Sequence, residues 1–573
     1  MGWRGLIYRA NVPVSGCVDA STGFIMTRML TSIAVILFGV FVVTPTVPFI
    51  DSVVPPSGTI GSEVTIHGNG FSSNIEDNQI CFGEIEAQIL SASEEQIVAL
   101  VPHSIQYAPI TLSTNGLISR SSDRFNVTFN ATEELQSEHL QDQLFSPYLE
   151  GSAKSIAMGD LNRDGVPDIV TTEPYWHVRI YEMAFDEDGR ITIERSLSLD
   201  YGTGPWTQVH DVSLGDLNGD GRLDIVASEY GDVTDDFDSN TCIFINTGSN
   251  ESFAFDPPII LSGDGYEGYA QLQDMNGDGK LDIVTTRTSW DQMGVYLNTT
   301  QGATVSFAPK MIVDAHVEPR PEYADFNGDG LIDVVSSGDN RDVHIYFNNS
   351  TENVILLEHA LTIEAGGVED PQYDYYWATG APRLADIDGD GLLDIITRGG
   401  CSGCSPNGIS VHRNTSTLEE LSFAYEFEDY YLYASQSSPL RIEVSDLNGD
   451  GNVDIVTTDW LGGLSIIMND STPGNIALQE QMIIGVGQFP HPLVMCDLNM
   501  DSTPELIVGN REVEGMRIVH NFLPIDACVL DGDITGDGAV NVSDLLGVIE
   551  EWGNPYNAND LLLVISEWGT LCP

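Results

Sequence analysis

Basic residues are scarce in this chain. Its 573 residues hold 22 Lys plus Arg against 86 Asp plus Glu, a formal net charge of −64, and only three are lysines: Lys154, Lys280 and Lys310. That balance argues against a nucleic-acid partner, because phosphate binding needs a basic surface whose association releases counterions. Attraction to an anionic lipid surface is excluded on the same ground. The sequence words of common catalysts are also missing. No G-x-S-x-G, H-E-x-x-H or phosphate-cradling glycine loop occurs, and the 11 histidines are scattered without carboxylates at ligand spacing. Acidic pairs are abundant, but nearly all fall inside one repeated word, so no glycosidase-like pair stands apart.

Long apolar runs are almost absent. The single one, Met29 to Val43 behind Arg28, reads as a secretory signal peptide or a retained signal anchor over residues 1–45. It is shorter than the roughly 20 residues that span a bilayer comfortably. Met26 is an alternative start. Everything beyond residue 46 is expected outside the cytoplasm, and the only membrane contact foreseen is through that anchor. Cysteine is sparse as well. Cys528 and Cys572 bracket the last 45 residues and read as a disulfide staple. Cys401-Ser-Gly-Cys404 reads as a local loop disulfide, and Cys81, Cys242 and Cys496 as buried small apolar residues.

Hydrophobic residues nevertheless make up 42% of the chain and recur in strand-length runs, so it folds, and its length implies several domains. Residues 46–130 alternate as short strands between turns: Val64-Thr-Ile66, Gln79-Ile-Cys81, Ile97 to Val101, Ile110-Thr-Leu112. That spacing predicts a small β-sandwich. The words Pro55-Pro-Ser-Gly58, Gly61, Gly68-Asn-Gly70-Phe71, Phe82-Gly83 and Val101-Pro102 resemble the IPT/TIG family of immunoglobulin-like domains. The resemblance implies a spacer or interaction module.

Residues 131–525 repeat one word seven times. Its members begin at Asp160, Asp216, Asp274, Asp325, Asp386, Asp446 and Asp497, at intervals of 56, 58, 51, 61, 60 and 51 residues. Seven units of that period predict a seven-bladed β-propeller with four strands per blade. The chemistry of the word is calcium chelation: hard side-chain oxygens at positions 1, 3, 5 and 9, a carbonyl at position 7, and a turn-making glycine at position 6. The ligand sets so read are Asp160, Asn162, Asp164, Val166 and Asp168; Asp216, Asn218, Asp220, Arg222 and Asp224; then Asp274, Asn276, Asp278, Lys280 and Asp282. The next are Asp325, Asn327, Asp329, Leu331 and Asp333; Asp386, Asp388, Asp390, Leu392 and Asp394; and Asp446, Asn448, Asp450, Asn452 and Asp454. A degenerate seventh holds Asp497, Asn499, Asp501, Thr503 and Glu505, with Ser502 in place of the glycine. Six to seven ions are therefore expected here. No Glu stands at position 12 and a strand follows, which separates these loops from EF-hands. The last unit lacks a fourth strand, and the segment Glu134 to Ser146 is predicted to supply it and close the ring.

These units resemble the FG-GAP/VCBS repeats of integrin α-subunit propellers and bacterial surface proteins. The resemblance implies calcium loops between strands one and two on one face. The opposite face would then carry Trp176, Trp206, Trp290, Trp377 and Trp460, joined by Tyr175, Tyr230, Tyr266, Tyr269, Tyr373, Tyr375, Tyr376, Tyr431, Tyr433 and Phe489. Arg320 and His210 are placed in loops of that face. Aromatic side chains on loops suit stacking on sugars or anchoring a protein partner.

Residues 526–573 carry one more acidic word, with Asp533, Thr535, Asp537, the carbonyl of Ala539, Asn541 and Asp544 as ligands for a single ion. A helical pattern follows to Trp552-Gly553, and a half-copy recurs at Asn557 to Trp568-Gly569. The segment resembles dockerin type I modules, which implies a cohesin-like or cell-surface anchoring partner. The fold expected overall is mostly β: an Ig-like sandwich, a seven-bladed propeller and a small α-helical calcium-loop module. The function expected is an extracellular, calcium-binding adhesion or ligand-binding protein for a glycan or protein, not an enzyme. The alternative is a secreted polysaccharide lyase or hydrolase using the same propeller face.

Overall fold

The computed structural model describes residues 47–525 except for 104–106, 146–152, 174–176, 186–190, 201–207, 231–238, 250–251, 264–266, 288–291, 303, 314, 339–341, 365–380, 400–407, 418–419, 426–438, 460–461, 488–489 and 511–514. The signal segment, the dockerin-like segment with Cys528 and Cys572, the Cys401 and Cys404 pair and all five propeller tryptophans lie outside the described residues. Among the described residues no helix is long and apolar enough to cross a membrane.

The first module is a sandwich of two sheets. One pairs Phe49–Val54, Glu63–Asn69, Gln96–Leu100 and Ile89–Ala92; the other pairs Ser57–Thr59, Leu117–Thr128, Tyr107–Thr114, Asn78–Phe82 and Ile85–Ala87. Period-two burial, as in Asn78–Phe82, turns Ile80 and Phe82 inward to meet Ile66, Ile97, Ile110 and Phe125. Cys242 and Cys496 are buried as expected, whereas Cys81 is half-buried because it faces away from that core.

The repeats fold into seven four-stranded antiparallel sheets. Their first strands are Ile156–Gly159, Gln208–Gly215, Glu267–Gln273, Glu322–Ala324, Arg383–Ala385, Pro439–Ser445 and Pro490–Cys496. Each Asp-Ile-Val run begins a second strand buried on both faces, such as Asp454–Asp459, while outer strands such as Met482–Gly485 alternate between half-buried and exposed. The cores lie between blades rather than within them. Leu161, Val170 and Ile180 of blade 1 pack on Leu214, Ile225 and Phe244 of blade 2. The same arrangement recurs around the ring and closes where Leu498, Ile507 and Ile518 of blade 7 meet Ile156, Met158 and Ile169 of blade 1.

Closure also uses the segment that precedes the first repeat. Strand Leu140–Phe145 pairs antiparallel with Met516–Asn521, from Leu140 opposite Asn521 to Phe145 opposite Met516, and completes blade 7. Leu140 is 6% exposed and packs in the core between blades 6 and 7. Leu140→Ala is expected to cost about 2–4 kcal/mol in denaturant unfolding, the usual loss for a truncated core leucine. A cost below about 1 kcal/mol would show that this strand does not close the ring.

Candidate functional site

Each acidic word forms the tight corner between the first and second strands of its blade, and its carboxylates hold the corner. In the second loop Asp216 Oδ1 accepts the amides of Gly219 (2.7 Å) and Asp220 (3.2 Å), and Oδ2 accepts Gly221 (2.6 Å). Asn218 Oδ1 takes the Asp220 amide at 2.9 Å, and Asp220 Oδ1 takes that of Arg222 at 2.9 Å. The bond from the sixth amide to the first carboxylate recurs at Asp160, Asp274, Asp325, Asp386, Asp446 and Asp497. So does the bond from the seventh amide to the fifth carboxylate, which fixes Val166, Lys280, Leu331, Leu392, Asn452 and Thr503.

A corner this tight needs left-handed backbone at positions 4 and 6. Gly219 and Gly221 sit at φ 73° and 82°, which glycine adopts without a side-chain clash. Arg163 breaks the rule in the first loop at φ 59°, and its guanidinium ties back to the Gly221 carbonyl of the next blade. The seventh loop breaks it twice, with Met500 at 62° and Ser502 at 77°.

The ninth residue joins the corner to the rest of the blade. Asp224, fully buried, accepts the Leu217 amide on Oδ2 (3.0 Å) and the Asn246 amide on Oδ1 (2.8 Å). Asn246 closes the third strand, and its Nδ2 donates to the Leu223 carbonyl and, across the blade boundary, to the Leu161 carbonyl at 2.9 Å. Asn298, Asn348 and Asn469 repeat both links, and Asn521 makes the cross-blade one to Leu447. The sequence reading missed these asparagines. Their signal is an Asn at one place after the third strand, usually followed two residues later by Gly, Ser or Thr. Blade 1 has no such asparagine, and the buried Asp168 Oδ1 there has no hydrogen-bond partner.

Burial, with repulsion from the other loop carboxylates, pushes Asp168, Asp224 and Asp282 up to about 8 and Asp333 and Asp394 up to about 7. Asp274, Asp386 and Asp446 rise to about 6, and Asp454 and Glu505 are raised as well. Arg222 reaches the Asp220 carboxylate, Lys280 that of Asp278 and Arg413 that of Asp388. In the fifth loop, oxygens of Asp386, Asp388 and Asp394 lie within 4.8 Å of one another. The donor set is all oxygen, largely anionic and preformed, and in blade 1 it leaves a buried carboxylate oxygen unpartnered. Such a set fits a hard divalent cation. The seventh loop is the least suited. Its Asp497 is bonded to His103 Nδ1 at 2.6 Å, and Glu505 is taken up by the amides of Leu498 and Asn499.

His103 belongs to the sandwich module, which packs against the acidic-loop side of the ring. Among the described residues it touches six of the seven loops. Glu86 approaches Arg163, Gln79 Nε2 donates to the Gly221 carbonyl (3.0 Å) and the Ile118 amide to the Gly279 carbonyl (2.6 Å). Tyr107 Oη accepts the Asp386 amide (3.0 Å), Asn126 Nδ2 donates to the Gly451 carbonyl (3.0 Å), and His103 meets Asp497.

Along the axis the seven first strands line adjoining cavities of about 180, 280 and 230 Å³. Glu84, Tyr107, Arg120 and Arg124 of the sandwich module line the loop-side end. At the other end Arg320 lies 4.9 Å from the Tyr269 ring centre, and His210 packs edge-on to the same ring at 5.0 Å. His210 is not in a loop as expected. It lies within Gln208–Gly215, at a register break between Val209 and Asp211, so it is the extra residue of a bulge.

Residues 48–129 match the IPT/TIG domain, and residues 160–227, 216–285 and 325–397 match the FG-GAP-like repeat. The chain therefore carries a TIG domain followed by FG-GAP-like repeats. A cyclomaltodextrin glucanotransferase of Geobacillus stearothermophilus is 36% identical over 89 residues, which is 15% of this chain and 12% of that enzyme. Among solved structures, an auxiliary nutrient binding protein of Bacteroides thetaiotaomicron aligns over 83% of this chain and 97% of its own, at 14% identity and a TM-score of 0.31. A periplasmic gluconolactonase of Pseudomonas aeruginosa aligns over 72% and 97%, at 13% identity and a TM-score of 0.37.

Two outcomes are expected from the loops themselves. Asp168, Asp224, Asp282, Asp333 and Asp394 are pushed up to about 7 or 8 against an ordinary 3.8, so the stability tied to their protons is complete below about pH 4 and is lost as pH rises through 7 to 8. In chelator the melting temperature should fall by more than about 5 °C between pH 5.5 and 8.5, and a flat profile would contradict these environments. Ser502 combines a left-handed backbone with a buried hydroxyl that has no partner. Ser502→Gly should therefore stabilise the chain by about 1 kcal/mol in denaturant titration, and a loss would refute the strain.

Proposed function

We propose that the chain is an extracellular, calcium-stabilised ligand-binding propeller that engages a glycan or protein through the face opposite its acidic loops. The observation that carries this reading is the seat of the TIG domain. It occupies the acidic-loop side, in contact with six loops and the channel end, which among the described residues leaves the mouth beside Tyr269, Arg320 and His210 for a ligand. An aromatic ring over a guanidinium at a channel mouth offers stacking and charge together.

Calcium is the structural part of the proposal. The first, third, fifth and ninth side chains of six loops would hold one ion each. The ion would supply the positive charge the corner lacks and cross-link the first and second strands. Its binding would draw protons off the raised carboxylates and so grow stronger as pH rises. The dockerin-like segment is proposed as a terminal anchoring or sorting module with one further ion. The stretch shared with the glucanotransferase spans 12% of that enzyme, so glycosyl transfer is not carried over.

Adding calcium to chelated protein is expected to raise the melting temperature through binding to the folded state alone. The gain is about 2.7 kcal/mol per site at a hundredfold excess over Kd, and an unchanged melt would refute the calcium assignment. For the binding face, the full chain on glycan and protein arrays should lose its retained ligands on Tyr269→Ala or on Trp206→Ala with Trp377→Ala, at unchanged melting temperature. Retention unaffected by all three substitutions would place the ligand elsewhere.

A further inference from the structure

The chain is strongly acidic, yet five of its arginines are gathered around the axial cavities. Arg120, Arg124, Arg320, Arg383 and Arg441 line them against four carboxylates: Glu84, Asp211, Glu322 and Glu443. Most of these charges are matched. Arg320 holds Asp211 at 2.5 Å, Arg124 and Arg383 share Glu322, and Arg383 also reaches Glu443. Arg120 stands 3.8 Å from Glu84. Burial works against the Glu322 charge, but the two guanidiniums outweigh it and hold that carboxyl below its ordinary value.

Arg441 is the guanidinium left over. Among the described residues its one ionic contact is Nε to Glu443 Oε1 at 3.3 Å, on a carboxylate already taken by Arg383. Among the described residues, no hydrogen bond fixes its two terminal nitrogens, and its side chain borders both the 180 and 280 Å³ cavities. Burial, then repulsion from Arg320, pulls Arg441 down to about 10.

The backbone is bent to present these groups. Register breaks in the first strands fall immediately before Asp211, Tyr269 and Arg441. An extra residue at each point turns the next side chain, as bulges do beside binding sites. Arg320 itself stands in the left-handed region at φ 61°, a strain that persists only where surrounding contacts enforce it. Ser155, Ser213 and Gln271 complete a polar wall beside the guanidiniums.

We infer that this channel receives a sugar bearing one anionic substituent, a carboxylate or a sulfate ester, with Arg441 meeting the charge. Among the described lining residues, five guanidiniums against four carboxylates leave one positive charge to be matched, and an uncompensated buried charge is costly. A guanidinium fork suits planar or trigonal oxyanions. The hydroxyl and amide wall and the Tyr269 ring suit a sugar rather than an apolar peptide side chain. The inference rests on the ligand-binding reading above and specifies its ligand.

The test measures affinity of the full chain in calcium buffer, by ligand-observed NMR, for galacturonate, galactose 6-sulfate and galactose. At least one anionic sugar should bind about tenfold or more tighter than galactose, as charge-assisted hydrogen bonds do. Which of the two wins identifies the substituent. Arg441→Gln should erase the preference with melting temperature held, because among the described residues the guanidinium it removes shares one carboxylate that Arg383 already holds. Arg441→Lys, which keeps the charge but not the fork, should stay folded and lose most of the preference. Equal affinity for all three sugars, or a preference that survives Arg441→Gln, overturns the inference. So does an acidic peptide that binds through Arg441 when neither sugar does. A neutral glycan lost on Tyr269→Ala but not on Arg441→Gln also overturns it, and leaves the binding face itself standing.

Discussion

One buried carboxylate per blade ties the ring together. At the ninth position of each acidic loop, a side chain with no exposure at all accepts the amide that opens the corner, as Asp224 does from Leu217. In five blades its other oxygen accepts the amide of the asparagine that closes the third strand. That asparagine then reaches the carbonyl of the preceding blade in most of them, so the corner, the blade and the blade boundary share one hydrogen-bonded unit. Such a carboxylate is expensive to ionise without a counter-charge, which burial already shows in its raised proton affinity. The loops are thus built in a form that a cation would relieve.

The rest of the architecture follows from closing seven such units. Apolar cores form only between neighbouring blades, so no blade is stable alone, and the ring needs its last boundary as much as its first. The strand Leu140–Phe145 supplies that boundary from the other end of the repeat array. Docking of the TIG domain on the loop side then couples the sandwich to the corners, with Tyr107, Asn126 and His103 bonded directly to loop atoms. Among the described residues, sandwich side chains join blade residues at the loop-side end of the channel, and blade residues line the far end. The channel's lining gathers five of the chain's 22 basic residues.

Much of this was legible in the sequence because it is local and periodic. The seven acidic words, the glycine at their sixth position and the missing fourth strand of the last unit each leave a mark at fixed spacing. The sandwich strands show as alternation around Val64, Ile97 and Ile110. Other features leave no such mark. The closing asparagines stand at variable distance from their loops, as Asn246 and Asn298 do at 22 and 16 residues beyond Asp224 and Asp282. His210 read as a loop residue because a one-residue bulge cannot be seen in a strand pattern. The arginine cluster joins residues from 120 to 441, and only the ring brings them together. The glycine at position 4 has no signal in chelation chemistry, which explains only the sixth.

Elemental analysis distinguishes cation sites from hydrogen-bonded turns at the acidic corners: the full chain is equilibrated with calcium, desalted into metal-free buffer, and its calcium content per folded chain is measured. The account predicts at least six bound ions, one for each loop with glycine at its sixth position. Fewer than one ion per chain would contradict it, and would leave the raised carboxylates as protonated struts.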